Sequence, residues 1–459
     1  MKKIITYFVS GGHGTTACKE AWEQPGKNID IQIETHLCIG VVDDGGHSGL
    51  LRRIFEELNE PYIPLGDLRN IWAESIKNSV MTELIQRRIS PSENLTQFQE
   101  TLVKELMALK SLILIYCQNG NALQKYLSDN QIEDFVAAYI KGFKQLLNKT
   151  KEELYNKHNI GNLFFAALTY SRFHTNGKNG YLQLSEVIEE LGLFPQNLKV
   201  HLLDNKRLDL LIQNAKGEII VQGEGSIDVV EFPIKVGAYE VFDPITKLKP
   251  AKREDIIQLI NKSDIVIIPP GSETNSYPWV KYYAEQLREK LVVRIVNLTV
   301  EQSSEGFIQE MGFLESLGLR PIYLYPKTFS HIKKEIGEEA YFKLIAKYSQ
   351  QNKRPQDLST QTILKGLHLS YPQIFDSVSE EDIFSRILDI VDVHAYSVNN
   401  ETIHELSANK EDEPYISQKG FRHSTLQLGK VIHEIVEMSN VKTKELTQCL
   451  REAFSEYLD

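Results

Sequence analysis

Two adjacent carboxylates lie within residues 41–53, "VVDDGGHSGLLRR". Asp43 and Asp44 end an apolar run, and two glycines follow them directly. In an open α/β sheet, ligands bind in the crevice beyond the carboxyl ends of the strands, so we expect both carboxylates to lie at that crevice. A single carboxylate there would hold a ribose, whereas a pair beside a phosphate favours Mg²⁺, which bridges carboxylates to substrate phosphates. The alternative is that one aspartate caps the next helix while water solvates the other.

The residues that follow the aspartates favour a close approach to an anion. Gly45 and Gly46 have no side chain to block the backbone, and Ser48 brings a hydroxyl to the start of the next helix. Backbone N–H groups at a helix N-terminus attract phosphates and carboxylates. Gly45, Gly46 and Ser48 are therefore candidate contacts to the ligand.

A second glycine turn, "VSGGHGTTA", occupies residues 9–17. From Gly12 it has the pattern G-x-G-x-x-A, and it lies between a predicted strand and a predicted short helix. In that context, small residues let backbone amides and a helix N-terminus reach a phosphate. Thr15 and Thr16 add hydroxyl donors. The alternative is a simple tight turn between strand and helix.

A third turn, "PLGDLRN" at residues 64–70, combines an acid, a guanidinium and an amide. Arg69 has the planar fork that binds a phosphate through two hydrogen bonds, and Asn70 is able to recognise a polar group. The alternative is an exposed helix start with Asp67 as its N-cap.

Two further segments place polar or small residues at the ends of predicted elements. In "KHNIGNLFFAAL" (157–168), His158 and Asn162 begin an apolar helix, although a lone histidine there is more often a cap or a core residue. In "IIPPGSETNSYPW" (267–279), Gly271 and Ser272 follow a buried strand. Because such turns lie at several strand ends, they are expected to converge on one crevice.

The elements that position these turns alternate between strand and helix. Continuous apolar runs at 3–9, 36–42, 263–270 and 291–298 predict strands buried on both faces of a parallel sheet. After Ser48, an apolar stripe predicts a helix with its charged residues on the other face. The sequence therefore predicts an α/β fold with a Rossmann-like, doubly wound, mainly parallel sheet.

The predicted organisation is a nucleotide-binding core followed by an extension. The core covers residues 1–325 and contains a helical insertion at 71–157 and a β-rich segment at 198–245, where "NAKGE" indicates a hairpin turn. Residues 326–459 are mixed and helix-leaning, and we expect them to pack on the core as a C-terminal extension.

Charge, cysteine spacing and hydropathy argue against nucleic-acid binding, a zinc or disulfide framework, and a membrane span. The net charge of −11 over 459 residues argues against nucleic acid, which needs a basic face. The four cysteines form no C-x-x-C pair, which indicates reduced thiols rather than zinc or disulfides. The longest apolar candidate, "LMALKSLILIYC", is interrupted by Lys110 and is too short to span a bilayer. We expect a soluble, cytoplasmic protein with a small-molecule partner; a homodimer is left open.

Taken in order, the segments resemble those of the 2-phospho-L-lactate transferase family, which includes the bacterial gluconeogenesis factors (CofD/YvcK-like). The matching segments are "SGGHGT", "VVDDGGHSGLLRR", "PLGDLRN", "HNIGNLFFAAL", "GEGSI", "IPPGSETNSYPW" and "NLT", with "GFRHSTLQLGKVI" (420–432) similar to the closing segment. The resemblance implies a Rossmann-like domain with a helical portion. It also implies one of two activities.

The transferase branch moves a phospholactyl group from a guanosine diphosphate-activated donor to a deazaflavin, with Mg²⁺ and release of GMP. The other branch is associated with regulation of carbon metabolism and binds nucleotide sugars. The Gly-Gly-x-Ser-Gly that follows the two aspartates is more similar to the regulatory branch.

The resemblance also implies roles for individual residues. The nucleotide phosphates would contact Gly11, Gly12, Gly14 and Thr15. Asp43 and Asp44 would hold the metal or the attacking group and, with Arg69, form the catalytic set. The donor site would include Asp67, Arg69 and Asn70, and the pocket would be completed by Asn162, Gly271 and Ser272.

We therefore expect a Mg²⁺-dependent transferase that acts on a nucleotide diphosphate-linked donor of the GDP or UDP type. The alternative is a non-catalytic regulatory protein that binds a nucleotide sugar. An NAD-dependent oxidoreductase, which rests on the G-x-G-x-x-A turn alone, is less favoured.

Overall fold

A computed structural model describes much of the chain up to residue 390. The described residues are 2–9, 31–42, 46–60, 62, 65–76, 78–91, 94–117, 122–149, 158–176, 184–204, 208–214, 216–223, 236–243, 246–269, 273–296, 299–300, 307–326, 339, 354–355, 368, 372–375 and 387–390.

Within these residues, the strands are β1 (Lys2–Val9), β2 (Ile31–Ile39), β3 (Arg88–Ile89), β4 (His158–Asn159), β5 (Leu198–Leu202), β6 (Asp209–Asn214), β7 (Ile219–Gln222), β8 (Val236–Phe242), β9 (Ile265–Ile268), β10 (Leu291–Ile295), β11 (Thr299–Val300), β12 (Ile322–Pro326), β13 (Arg354–Pro355) and β14 (Ile387–Ile390). The helices are α1 (Gly46–Glu57), α2 (Gly66–Ser75), α3 (Ser79–Gln86), α4 (Leu95–Tyr116), α5 (Leu123–Tyr126), α6 (Asp129–Lys149), α7 (Ile160–Asn176), α8 (Leu184–Leu191), α9 (Glu254–Lys262), α10 (Glu273–Tyr282), α11 (Ala284–Leu287), α12 (Phe307–Ser316) and α13 (Pro372–Phe375).

The main sheet has seven strands in the order β14-β12-β10-β9-β1-β2-β5, and every neighbouring pair is parallel. The chain builds outward from β1 through β2 to β5, then returns to the other side of β1 and builds outward from β9. This is the doubly wound order of a Rossmann-like sheet. The α/β fold class predicted from the sequence is confirmed.

Burial explains why the apolar runs form central strands. All four residues of β9 are buried, and β10 is buried except for its first residue. A strand with no solvent-facing side requires continuous Val, Ile and Leu rather than alternation. The switch in building direction falls between β1 and β9, at the centre of the sheet.

Three of the predicted strands extend beyond the strands in the sheet, at β2, β9 and β10, and β2 shows why. The apolar run at 36–42 predicts a strand to residue 42, but β2 begins at Ile31 and ends at Ile39. The Val41 carbonyl accepts a hydrogen bond from the Leu208 N–H, outside the ladder with β5. Because Val41 and Val42 stay buried after the chain leaves the sheet, hydrophobicity alone does not mark the end of the strand.

The helical insertion packs through apolar faces. The stripe predicted on α1 is buried at Leu50, Leu51, Ile54 and Phe55, and it packs against α6. In turn, α6 contacts α4 and α7. The contact between α1 and α6 is close at Gly142, where an added Cβ would lie 2.8 Å from the Ile54 carbonyl oxygen.

A second, smaller sheet has the antiparallel order β7-β6-β8. The turn between β6 and β7 falls in the predicted "NAKGE" hairpin, and Gly217 has the positive φ of 80° that glycine adopts without strain. The division of the chain into a core and an extension at residue 325 stays a prediction.

Membrane crossing is not supported by any described helix. Within the described ranges, no helix combines the length and the apolar character needed to span a bilayer.

We predict that Gly142→Ala destabilises the protein. Alanine improves helix propensity by about 1 kcal/mol, but its Cβ would lie 2.8 Å from the Ile54 carbonyl oxygen and 2.9 Å from Leu58 Cγ. Overpacking of this kind costs about 1–3 kcal/mol, so the steric effect dominates. Denaturant unfolding measures the change; the control is Lys141→Ala, on the exposed face of the same helix. Equal or greater stability in Gly142→Ala would contradict the proposed close packing.

Candidate functional site

The carboxyl ends of three central strands lie side by side. Val9 of β1 pairs with Cys38 of β2, and Phe8 of β1 pairs with Ile267 of β9. Since the strands are parallel, the segments that leave them start at the same edge of the sheet. This edge, at the point where the strand order reverses, is where open α/β sheets bind ligands.

The residues predicted at this edge fall partly outside the described ranges. Those outside are Gly11, Gly12, Gly14, Thr15, Asp43, Asp44, Gly45, Gly271 and Ser272. Their roles stay predictions. The described candidates are Gly46, Ser48, Asp67, Arg69, Asn70 and Asn162.

Hydrogen bonds bring the beginnings of three helices together. Arg69 of α2 donates from Nε to the Oδ1 of Asn162 in α7, at 3.3 Å. The Asn159 N–H donates to the Nδ1 of His47 in α1, at 3.2 Å, and the Asn162 Nδ2 lies 3.4 Å from the same nitrogen. Each of these residues lies in or beside the first turn of its helix, except Asn159, which precedes α7. We call His47, Arg69, Asn159 and Asn162 the polar cluster.

Asn159 connects the polar cluster to the protein backbone. Its Oδ1 accepts the Asn162 N–H at 2.9 Å, which satisfies one of the N–H groups left free at the start of α7. Its Nδ2 donates to the Gln86 carbonyl at 3.2 Å, and its side chain is 1% exposed. Asn159 therefore holds α7 against the end of α3.

Close packing at Gly161 fixes the distance between α7 and its neighbours. A Cβ at this position would lie 2.6 Å from Arg69 Cγ and 2.7 Å from the Ile85 carbonyl oxygen. A real Cβ atom essentially never lies this close to a non-bonded heavy atom, so glycine is the residue that lets the Arg69 side chain cross the start of α7. The approach of Arg69 to Asn162 depends on this glycine.

The protonation of His47 follows from its hydrogen bond. A backbone N–H can only donate, so the Nδ1 that faces Asn159 is unprotonated and the neutral ring carries its hydrogen on Nε2. Burial, with the nearby His158, Arg69 and Arg88, lowers the pKa of His47 well below its usual range. His47 therefore presents a neutral N–H donor.

His158 lies in the core beneath the polar cluster. It is fully buried, its Nδ1 is 2.5 Å from the Tyr139 hydroxyl oxygen, and its ring is edge-on to that of His47 at 5.5 Å. Burial lowers the pKa of His158 to about 4 and raises that of Tyr139 well above its usual range. Both rings are neutral at pH 7, in agreement with the core histidine that the sequence favoured.

The buried polar atoms that have no hydrogen-bond partner among the described residues include three in or beneath this region: His47 Nε2, Asn70 Oδ1 and His158 Nε2. Buried polar atoms are almost always paired in native proteins. Two belong to residues at helix starts beside the crevice. We therefore expect a ligand, or residues outside the described ranges, to contact His47 and Asn70.

The remaining described candidates frame the same region. Ser48 is 3% exposed and Asn70 is 8% exposed, while Asp67 is partly exposed in the first turn of α2. The alternative of Asp67 as N-cap is wrong: α2 starts at Gly66, so Leu65 occupies the N-cap position, and its apolar side chain makes no cap hydrogen bond. Gly46 has a φ of +46° and begins α1.

Helix N-termini and Arg69 bring positive charge to the polar cluster. The N-termini of α1, α2 and α7 bear partial positive charge, Arg69 adds a full one, and Asp67 in the first turn of α2 carries one negative charge. No group of three metal-ligating side chains occurs among the residues that the structure describes. Mg²⁺ prefers oxygen ligands, so any metal at this edge would depend on Asp43 and Asp44.

A family model described as "2-phospho-L-lactate transferase CofD" matches residues 7–313. This range covers more than half of the chain and spans every candidate residue named above.

The chain belongs to the 2-phospho-L-lactate transferase family.

Membership of the 2-phospho-L-lactate transferase family indicates a transferase. Among solved structures, two crystal structures of protein BH3568 from Bacillus halodurans, one described as a member of the UPF0052 family, are similar to this chain. Each has 20% identity and a TM-score of 0.50, with 80% of this chain and 91% of that chain covered. At this identity the likeness concerns the fold. No curated protein matches.

Two members of the polar cluster were not identified from the sequence. His47 and Asn159 both lie inside segments that match the 2-phospho-L-lactate transferase family, "VVDDGGHSGLLRR" and "HNIGNLFFAAL". The available signal was a polar side chain close to a glycine in such a segment: His47 follows Gly46, and Asn159 lies two residues before Gly161. Their importance comes from the contact between α1 and α7, which are distant in sequence.

We predict that His158 makes the protein less stable as the pH falls. Its folded pKa of about 4 is below the unfolded value of about 6.5, so the unfolded state binds the proton first. Stability is therefore full above pH 6.5 and is reduced by about 3 kcal/mol by pH 4. Unfolding of wild type and His158→Gln across pH 4–7 should give a steeper slope for wild type.

The control for this experiment is His368→Gln, at an exposed histidine. It should follow the wild-type pH profile. Equal slopes for wild type and His158→Gln would show that His158 is not buried in its neutral form.

Proposed function

We propose that this protein is a transferase of the 2-phospho-L-lactate transferase type. It would transfer a phosphorus-containing group from a nucleoside diphosphate-linked donor of the GDP or UDP type, with Mg²⁺. The observation that carries this proposal is the polar cluster, where Arg69 is oriented by Asn162 and three helix N-termini meet. The partner proposed is this small molecule rather than nucleic acid.

The diphosphate would be bound by donors already held in place. The glycine turn at 11–14 would offer backbone N–H groups, and Arg69 would neutralise phosphate charge. His47 would add a neutral N–H donor from the start of α1. Reactions at a diphosphate need positioning and charge neutralisation more than covalent participation by the protein, and donors fixed beforehand supply both.

In the proposed reaction, an acceptor oxygen bonds to the phosphorus of the transferred group. The bond from that phosphorus to the bridging oxygen breaks, and a nucleoside monophosphate leaves with the bridging oxygen. The acceptor's proton passes to a carboxylate, for which Asp43 and Asp44 are the candidates. When bound, Mg²⁺ would supply charge neutralisation at the phosphates, and the same two aspartates would hold it.

A regulatory protein that binds a nucleotide sugar without turnover is the second candidate. It is favoured by the Gly45-Gly46-x-Ser48-Gly49 pattern, which resembles the regulatory branch. The same polar cluster would then hold the diphosphate of the sugar nucleotide. Calorimetry that finds tight binding, with no product over hours, would favour this candidate over the transferase.

We predict that GDP or UDP, with Mg²⁺, raises the melting temperature in a thermal-shift screen that also includes ADP. Arg69→Gln should weaken binding by about 10- to 100-fold, because a hydrogen bond to a charged group is lost. Arg320→Gln, at an exposed arginine, is the matched control and should bind normally. A screen in which no diphosphate stabilises the protein would refute a nucleotide site.

We also predict that Asp44→Asn abolishes Mg²⁺-dependent turnover and leaves the fold intact. The amide has the shape of the carboxylate without the charge that attracts the cation. Turnover and circular dichroism are compared with Asp134→Asn, at an exposed residue of α6. Unchanged turnover in Asp44→Asn would remove this residue from the catalytic set.

A further inference from the structure

Three hydrogen-bonded side chains lie at the edge of the main sheet, outside the polar cluster. Glu34 and His36 belong to β2, and His201 belongs to β5, the edge strand. The His36 Nε2 lies 2.9 Å from Glu34 Oε1, and the His36 Nδ1 lies 2.9 Å from His201 Nε2. The imidazole centroids are 5.1 Å apart, so the rings meet end to end rather than face to face. We call these three residues the histidine network.

The carboxylate determines where the protons of the histidine network lie. An ionised carboxylate only accepts hydrogen bonds, so Glu34 receives the Nε2–H of His36. When the His36 ring is neutral, its Nδ1 carries no hydrogen and accepts the Nε2–H of His201. Burial, with the nearby His36, lowers the pKa of His201 to about 4, so this ring is neutral at pH 7. The Nδ1 of His201 is therefore an acceptor without a hydrogen.

This acceptor belongs to the wall of an open cavity. His201 lines a space of about 430 Å³ between β5, α8 with the turn that follows it, and the start of α9. No described residue bonds to the His201 Nδ1, and this atom is not among the buried polar atoms that lack a partner, so it is accessible to solvent. Pockets of this size hold small organic molecules.

The charged side chains around the cavity leave one carboxylate in excess. The Lys199 Nζ lies 3.6 Å from Glu189 Oε1, and Arg253 donates to both carboxylate oxygens of Asp255, at 3.0 and 2.5 Å. Glu186 also lines the cavity and has no ion-pair partner among the residues that the structure describes. Asp255 lies in the first turn of α9, where it offsets the partial positive charge of the helix N-terminus. The cavity therefore favours a cation over an anion.

We propose that this cavity is a second small-molecule site, which binds an organic amine in its ammonium form. The ammonium group donates a hydrogen bond to the His201 Nδ1, and Glu186 supplies the opposite charge. The hydrocarbon part of the amine packs on the apolar side chains of the wall, which include Ile188, Phe194 and Leu198.

His36 and Glu34 are positioning residues of this site. They keep the His201 hydrogen on Nε2 and so leave Nδ1 free to accept. None of the described residues that line the cavity belongs to the polar cluster, so the inference does not rest on the proposed transferase function.

A purely structural histidine network would behave differently. Its loss would loosen β5 from β2 and lower stability, without any effect on amine binding by a folded variant. Two substitutions separate the roles of the ring nitrogens. In His201→Gln the side-chain amide reaches the position of Nε2 and keeps a contact with His36, but nothing replaces Nδ1. In His201→Asn the amide oxygen takes the position of Nδ1 and the contact with His36 is lost.

The test is calorimetry with benzylamine on the full chain at pH 8. Wild type should bind benzylamine more tightly than benzyl alcohol, and about tenfold or more tightly than benzoate. His201→Gln should weaken benzylamine binding by about tenfold or more, because a hydrogen bond to a charged group is lost. His201→Asn should weaken it by only about threefold or less, because an acceptor remains. His368→Gln, at an exposed histidine, is the control and should bind normally.

Nitrogen-15 spectra of the histidine rings test the positioning role. In wild type, His201 should carry its hydrogen on Nε2, and benzylamine should shift the Nδ1 resonance. Glu34→Gln replaces an acceptor by an amide that both donates and accepts, so His201 should populate both neutral forms and bind the amine more weakly. Glu289→Gln, at an exposed glutamate, removes the same charge elsewhere and should change neither result.

Each outcome decides the inference separately from the proposed function. Equal amine binding by wild type and folded His201→Gln would overturn the role of the His201 Nδ1. Tighter binding of benzoate than of benzylamine, or no binding of benzylamine, would overturn the amine site. If neither His201 variant folds, a benzylamine-induced shift of the wild-type Nδ1 resonance supports the site, and an unchanged resonance overturns it. Binding of GDP or UDP should be unaffected by benzylamine, so the nucleotide proposal stands or fails on its own screen.

Discussion

The parallel pairing of β1 with β2 on one side and with β9 on the other is the constraint on which the rest of the molecule depends. Parallel strands point their carboxyl ends in one direction, so three segments far apart in the chain leave the sheet at one edge. The reversal of strand order at β1 also keeps the crossover connections on the two sides from closing over that edge. The topology therefore makes this edge the candidate ligand site.

The described half of this site is a set of donors held by close packing. Gly161 allows Arg69 to cross the start of α7, and Asn159 uses both ends of its amide to fix that start against α3. Burial keeps His47 neutral, so it contributes an oriented N–H donor and not a second full positive charge. Donors that are already oriented need little reorganisation when an anion binds, which is the arrangement that transfer at a phosphate requires.

The opposite side of the crevice depends on a different kind of support. Proline residues follow β9 and have no N–H group for further pairing in the sheet. At this point the buried Arg294, paired with Glu310, donates hydrogen bonds to the last carbonyls of the strand. Both sides thus use buried polar contacts from elements distant in sequence. Burying these polar groups costs desolvation free energy, which is consistent with a role in fixing the positions of neighbouring elements as well as in stability. Family membership indicates a transferase, and we propose this edge of the sheet as its site.

The sequence by itself determined the fold class and the family. Apolar runs long enough to bury both faces predict parallel strands, and the stripe on α1 predicts which side of that helix is buried, because both depend on local spacing. It also marked Arg69 and Asn162 as site residues, which the structure joins by a hydrogen bond. The end of β2 was not predicted, because Val41 and Val42 follow the strand and are as buried as the residues within it.

Only the tertiary structure decided the rest. The contact of His47 with Asn159, the need for glycine at 161 and the bonds from Arg294 to the end of β9 join residues separated by long stretches of chain. Hydrophobic periodicity reports whether a residue is buried, but a hydrogen bond depends on distances and directions that exist only after the helices and strands have packed.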